Sequence, residues 1–182
     1  MSSETAPAPI YGEGGGKGDG GGGEEVDAAK LQALDLPLLL TATVVKGFGR
    51  GSKLLGIPTA NLDMEQVGAM VDYWPNGIYF GFVFLRDQIY KAVASIGTNP
   101  YFKNSQKTVE PHLLYEFPDD FYGEELKFLV CGYVRPEASF PSLDELVKAI
   151  RNDIAFARAA LEEPEWKKFS SNNLGWTKSV AC

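Results

Sequence analysis

The chain has 182 residues, of which 45% are hydrophobic, and this length and composition suffice for one globular domain with its own core. Its formal net charge is −7. An acidic chain without a basic patch argues against nucleic-acid binding, and no apolar run reaches the roughly 18 residues of a membrane helix. Two cysteines, Cys131 and Cys182, are too few for a disulfide framework. With no secretory signal at the N-terminus, we expect a cytoplasmic protein.

Composition divides the chain into three parts. Nine of the twelve residues 12–23 are glycine, and such a stretch has high backbone entropy and nothing to bury. We therefore predict a disordered tail over residues 1–35, one folded domain over 36–170 and a C-terminal tail over 171–182. We do not expect a second catalytic domain within these 35 low-complexity residues.

The N-terminal half of the folded region predicts strands. Residues 37–46 are rich in β-branched side chains and read as the first strand. Residues 78–85 and 89–96 predict a hairpin with a three-residue loop. The intervening residues 63–76 show no regular pattern and are predicted to be irregular.

The C-terminal half changes from strand to helix. Residues 109–117 and 126–135 predict two further strands, and the polar residues 97–108 before them predict a loop long enough to form a flap over a site. Ser142 and Glu145 form a capping-box pattern that opens an amphipathic helix over about 142–162, followed by Pro164 and a short helix near Trp166. Strands first and a helix last predict an antiparallel sheet or barrel with a flanking helix.

A glycine-rich segment carries the first candidate site. Gly47, Gly49 and Gly51 alternate with larger residues, Ser52 and Lys53 follow, and residues 58–61 read PTAN. Alternating glycines allow backbone N–H groups to turn toward a phosphate, and the lysine adds a point charge. Thr59 and Asn61, two residues apart on an extended chain, offer neutral oxygens of the kind that Mg²⁺ accepts. On glycine spacing alone, a flexible hairpin loop explains the pattern equally well.

Two titratable side chains in the predicted fourth strand are further candidates. Glu110 could remove a proton from a substrate hydroxyl, although an exposed glutamate near a strand end is the commoner explanation for such a residue. His112 is the only histidine. Because a lone histidine cannot build a zinc site, we predict a packing or hydrogen-bonding role for it. Cys131 lies in an apolar run and is predicted to be a buried, inert thiol.

The segment GFGRGSKLLGIPTANL closely resembles the ATP-binding segment of riboflavin kinases of the eukaryotic, monofunctional type. The similarity covers roughly residues 37–168. It continues, in order, through GIYFGFVFL, SIGTNPYFKN, VEPHLLYEF, DDFYGEEL, GYVRPE and FPSLDELVKAIRNDI. A long series of ordered motifs is far more specific than any one of them.

The resemblance implies a mainly β fold, a six-stranded antiparallel Greek-key β-barrel with a C-terminal α-helix packed outside. Because the sequence pattern shows only five clear strands, the sixth is expected to be short and to lie within residues 57–76. The resemblance further implies transfer of the ATP γ-phosphate to the ribityl 5′-hydroxyl of riboflavin, giving FMN and ADP, by a monomer. Glu110 would be the general base. Thr59 and Asn61 would bind Mg²⁺, for which Zn²⁺ or Mn²⁺ could substitute, and ATP is the co-substrate.

The resemblance also implies the ligand contacts. With the glycine-rich segment included, the expected ATP-binding residues are Gly47, Gly49, Gly51, Ser52, Lys53, Thr59, Asn61, Leu113, Tyr115 and Tyr122. The expected flavin-binding residues are Arg135, Ala138 and Phe140. The chain departs from the family pattern at Ala138, where a longer polar residue is expected, at Thr98, where some relatives have an aromatic residue, and at Pro111, which lacks a backbone N–H.

Two alternatives belong to other functional classes. One is a flavin-binding barrel that carries FMN without making it, and the other is a non-catalytic interaction domain whose glycine-rich tail recruits partners. Consumption of ATP that depends on riboflavin would distinguish the kinase from both.

Overall fold

Six antiparallel strands form one sheet in the order β2-β1-β6-β3-β4-β5. The computed structural model describes residues 30–31, 33–47, 56–98, 107–171 and 176. In chain order its elements are β1 Leu38–Val45, β2 Asn61–Leu62, α1 Met64–Val71, β3 Gly77–Leu85, β4 Gln88–Thr98, β5 Lys107–Leu113, β6 Glu125–Pro136, α2 Leu143–Ala160, α3 Pro164–Lys167 and a 3₁₀ turn, Lys168–Ser170.

The sheet curls until its two outer strands meet. The backbone N–H of Ala60, directly before β2, donates to the carbonyl of Pro111 in β5 at 2.9 Å. This contact joins the first and last strands of the sheet order, so the barrel is nearly closed. The predicted six-stranded antiparallel barrel with a helix outside is therefore confirmed, including the short strand expected within residues 57–76.

The barrel has an apolar layer on each side of its wall. Alternate residues of β1 and β6, such as Leu40, Phe128 and Val130, are fully buried in the interior. On the outer side, Cys131 of β6 packs in a second cluster with Ala157 of α2. Since both faces are covered, these strands read as nearly continuous hydrophobic runs. Burial also raises the pKa of the Cys131 thiol, so the prediction of an inert cysteine is confirmed.

The prediction that residues 63–76 are irregular is wrong, because α1 lies within them. Asp63 caps this helix by accepting a hydrogen bond from the backbone N–H of Glu65 at 3.0 Å. Val67 and Val71 are buried against the barrel, and Gln66 accepts a hydrogen bond from the backbone of Thr43 in β1 at 2.9 Å. Only two turns long, the helix depends on these tertiary contacts, which its own sequence does not reveal.

Two predicted boundaries in the hairpins are also corrected. The β3–β4 loop has two residues and not three, because Arg86 and Asp87 both take positive φ, 52° and 60°, and Gln88 already pairs with Leu85. The strand predicted over 109–117 runs instead from Lys107 to Leu113. Since β4 extends to Thr98, both ends of the predicted flap belong to paired strands, and residues 99–106 lie outside the described part of the chain.

The long C-terminal helix is confirmed. Ser142 accepts a hydrogen bond from the backbone N–H of Glu145 at 3.3 Å, and α2 runs to Ala160. Pro164 does not end this helix directly but occupies the first turn of α3, where a missing N–H costs nothing. Within the described residues, no helix has the length and apolar character needed to cross a membrane.

Candidate active site

The PTAN segment, residues 58–61, is held against β5 by two hydrogen bonds. One is the bond from Ala60 to the Pro111 carbonyl. In the other, Nδ1 of His112 lies 2.7 Å from the carbonyl oxygen of Pro58. A carbonyl only accepts, so this ring nitrogen carries the proton. The predicted hydrogen-bonding role of His112 is thus confirmed, and the bond fixes the segment.

Alternation along this segment separates its packing side from its exposed side. Ala60 and Leu62 are buried, whereas Thr59 and Asn61 are half-buried. Asn61 pairs with Val45 of β1, and its amide lies so close to Gly47 that a Cβ atom at position 47 would overlap it. The structure therefore brings Gly47 and Asn61 together. The other predicted loop residues, Gly49, Gly51, Ser52 and Lys53, lie outside the described residues.

Glu110 lies in β5, one residue from the bond that closes the barrel. Its neighbours Val109 and Pro111 are buried, so its own side chain is on the opposite face of the strand. The hydroxyl of Thr108 donates to Oε1 of Glu110 at 3.0 Å and so orients the carboxylate. Because Pro111 also accepts the hydrogen bond from Ala60, the PTAN segment is bonded to the same strand that carries the candidate base.

Aromatic rings line the surface beyond the end of β5. Tyr90, Tyr115, Phe117 and Phe121 follow one another with ring centroids about 5 Å apart. Tyr115 is 56% exposed and Tyr122 is 48% exposed, and the Lys46 ammonium lies 5.9 Å from the Tyr122 ring centroid. These two tyrosines are thus available to a ligand. Leu113, which was predicted to bind ATP together with these two tyrosines, has its side chain in the barrel core.

Arg135 and Phe140, both predicted to bind flavin, are brought together. The guanidinium lies 5.6 Å from the Phe140 ring centroid. It also makes a two-pronged ion pair with Asp153 of α2, at 2.8 Å from Nε to Oδ1 and 2.7 Å from Nη2 to Oδ2. Ala138, between them in the chain, is exposed. The sequence analysis did not identify Asp153 as a site residue. Its position among the apolar residues of the helix could have indicated a buried carboxylate with a charged partner.

The donor set in this region limits how a metal ion could be held. The described part of the chain contains no group of three or more His, Cys, Asp or Glu side chains suited to a metal. Thr59 and Asn61 supply neutral oxygens, which fit a Mg²⁺ ion that shares its other positions with phosphate oxygens and water. The position of Asn61 next to Gly47, at the start of the glycine-rich segment, fits the same ion.

Comparison with known proteins gives a consistent result. The profile of the family described as flavokinase (riboflavin kinase) matches residues 34–161. The riboflavin kinase of Homo sapiens is 45% identical over 139 residues, which cover 76% of this chain and 90% of the human protein. The solved structure of riboflavin kinase from Trypanosoma brucei has a TM-score of 0.62 and 31% identity, covering 79% of this chain and 88% of that one.

A plant relative is longer. The bifunctional riboflavin kinase/FMN phosphatase of Arabidopsis thaliana is 48% identical over 137 residues, or 75% of this chain. Since the match spans only 36% of the plant protein, it concerns one part of a larger protein.

The bond between His112 and Pro58 predicts a pH-dependent stability. Burial lowers the pKa of His112, and the hydrogen bond to Pro58 opposes this effect only in part. The unfolded chain, with a pKa near 6.5, therefore binds the proton more readily. The contribution of neutral His112 to the free energy of unfolding should be fully present above about pH 6.5. As the pH falls below that value, the free energy of unfolding should decrease by at most about 1.4 kcal/mol per pH unit.

The measurement is urea unfolding of the wild type and His112→Asn at about pH 7.5 and pH 5.5. Asparagine can donate a hydrogen bond from a similar position but does not titrate. The free energy of unfolding of His112→Asn should therefore change less between the two pH values than that of the wild type. Equal changes in both proteins would contradict the assignment.

Proposed function

The chain belongs to the riboflavin kinase family, and on that premise we propose that it transfers the γ-phosphate of ATP to the ribityl 5′-hydroxyl of riboflavin, giving FMN and ADP. The observation that carries this proposal is the junction of β5 with the PTAN segment. There, hydrogen bonds from Ala60 to Pro111 and from His112 to Pro58 fix the candidate metal ligands beside the strand that bears Glu110. A non-catalytic flavin carrier would not need such an arrangement.

Glu110 is the general base of this proposal. Its carboxylate, oriented by Thr108, accepts the proton of the ribityl 5′-hydroxyl as the oxygen bonds to the γ-phosphorus and the bond to ADP breaks. In phosphoryl transfer the protein contributes mainly by positioning the reactants and stabilising charge. A base fixed on a strand of a closed barrel suits that requirement, because the strand cannot move without opening the sheet.

Thr59 and Asn61 would hold Mg²⁺, or Zn²⁺ or Mn²⁺ in its place. The ion supplies positive charge next to the phosphate oxygens, where negative charge increases during transfer. Gly47 keeps the backbone close to Asn61. The phosphates themselves would contact Gly49, Gly51, Ser52 and Lys53, and Leu113 would contribute to ATP binding through its backbone.

Two separate groups of residues on the barrel surface would bind the nucleotide and the flavin. Tyr115 and Tyr122, both exposed, would pack against the nucleotide. Arg135, Phe140 and the backbone of Ala138 would bind the flavin, with the guanidinium already oriented by Asp153. The proposed protein is a cytoplasmic monomer with one catalytic domain over residues 36–170.

The direct test is to incubate the purified chain with riboflavin and Mg-ATP and to separate the flavins by chromatography. FMN should form only when both riboflavin and Mg-ATP are present, with one ADP released for each FMN. Binding of riboflavin without any FMN would favour the carrier and contradict the kinase.

Replacement of the base should separate chemistry from binding. Glu110→Gln keeps the shape and the contact with Thr108 but cannot accept the proton, so kcat should fall by at least about 100-fold. Riboflavin binding, measured by quenching of flavin fluorescence, should change by less than about threefold. Glu116→Gln, an exposed glutamate in the segment after β5, is the matched control and should keep full activity. An unchanged rate in Glu110→Gln would exclude Glu110 as the base.

Removal of one metal ligand should weaken the response to Mg²⁺. Chelation with EDTA should abolish FMN formation, and added Mg²⁺ should restore it. In Asn61→Ala, the Mg²⁺ concentration for half-maximal rate should rise by about 10-fold or more. Asn61→Asp, which retains an oxygen ligand, should be less affected than Asn61→Ala. The same Mg²⁺ dependence in Asn61→Ala and the wild type would show that Asn61 does not bind the ion.

A further inference from the structure

Glu137 is a second carboxylate in the region of the proposed base, and the mechanism above does not use it. It follows β6 directly, and the hydroxyl of Ser95 donates to its Oε1 at 3.4 Å. Its carboxylate also occupies the space beside Gly97, where an added Cβ atom would overlap it. The side chain therefore lies across β4, over positions 95 and 97.

The register of the sheet places this carboxylate near Glu110. Ser95 of β4 pairs directly with Glu110 of β5, and Gly97 pairs with Thr108. Side chains of directly paired residues project from the same face of a sheet. A group lying over positions 95 and 97 is consequently a neighbour of Glu110 and of the threonine that orients it.

Glu137 lies two residues after Arg135 in the chain, and its carboxylate lies over β4 next to the position of Glu110, so it is near both parts of the proposed riboflavin site. Burial raises the pKa of Glu137, the hydrogen bond from Ser95 and the charge of Lys107 lower it, Glu110 raises it and Arg135 lowers it. The charges of Glu110 and Arg135 are thus among those that act on this carboxylate. Lys107 is itself tied to the backbone carbonyl of Trp74.

The fold does not require this carboxylate. Glu137 is exposed overall, and its direct contact with Ser95 is long for a hydrogen bond between side-chain oxygens. Exposed polar contacts of this kind contribute little to stability, because water can replace either partner. Glu137 therefore lies beside the proposed base but contributes little to stability, and its carboxylate can accept hydrogen bonds from a substrate.

We propose that Glu137 binds the ribityl chain of riboflavin by accepting hydrogen bonds from its internal hydroxyl groups, an inference that rests on the proposed function. When the 5′-hydroxyl lies at Glu110 and the ring system lies at Arg135 and Phe140, the internal hydroxyls lie between them. A carboxylate accepts and never donates at neutral pH, so it complements a row of hydroxyl donors. Glu137 would thus select flavins that carry a hydroxylated chain.

The test compares two flavin substrates in steady-state kinetics. One is riboflavin, and the other is an analogue whose ring nitrogen carries a 5-hydroxypentyl chain, which keeps the reacting hydroxyl but lacks the internal ones. In Glu137→Ala, KM for riboflavin should rise about tenfold with kcat nearly unchanged, because the bonds form before and during transfer. KM for the analogue should be unchanged. Glu137→Gln should show a smaller rise for riboflavin, because its amide oxygen still accepts.

Two further variants keep the test decisive. Gly97→Ala introduces a methyl group where the carboxylate lies, at a strand position with ordinary φ. It should therefore displace the charge without removing it and raise KM for riboflavin selectively. Glu125→Gln, at the exposed opposite end of β6, is the control and should behave as the wild type.

Equal losses on riboflavin and the analogue, or no loss on either, would overturn the inference. Failure of the proposed function is distinguishable, because the wild type itself would then make no FMN. In that case, fluorescence titration of both flavins with Glu137→Ala and the wild type would still measure the same selectivity.

Discussion

The hydrogen bonds between β5 and residues 58–61 are the contacts on which the arrangement of the site depends. An open sheet leaves unpaired N–H and C=O groups along its outer strands. Here the bond from Ala60 to Pro111, reinforced by the bond from His112 to Pro58, brings the two outer strands together. The same two bonds set residues 58–61 beside the strand of Glu110. Closure of the barrel and placement of the candidate catalytic groups thus depend on the same two bonds.

A second interaction joins the outer helix to the flavin end of the site. Asp153 lies on the buried stripe of α2, and a buried carboxylate is costly unless it is paired and hydrogen-bonded. Arg135 satisfies it with two parallel hydrogen bonds and keeps one face over Phe140. Because this pair joins the helix to β6 and orients the guanidinium, it holds Arg135 beside Phe140, the two groups proposed to bind the flavin. Preorganisation of this kind reduces the entropy lost on binding.

The distribution of charge suits the two substrates of the family. A chain with a net charge of −7 would repel a polyphosphate unless its local field were positive or neutral. The PTAN segment offers hydroxyl and amide oxygens, and Lys46 lies beside the exposed Tyr122. The carboxylates of Glu110 and Glu137 are instead collected on the outer face of β4 and β5. In the proposed function, these carboxylates would accept hydrogen bonds from the hydroxyl groups of riboflavin, while Lys46 and the PTAN segment would face the phosphates.

The sequence by itself determined the type and order of most elements, because strand alternation and the helical repeat are local properties. Thus β1, β3, β6 and the helix capped by Ser142 were predictable, and the ordered motifs identified the family. Only the tertiary structure decided the features that depend on distant partners. The helix α1 exists because Val67 and Val71 are buried against the barrel, and β5 ends at Leu113, which forms the last pair of its ladder with Ala92 of β4. Asp153 and Glu137 acquire their roles from Arg135, Ser95 and Glu110, which lie far away in the chain, and a residue's own neighbours carry no information about such contacts.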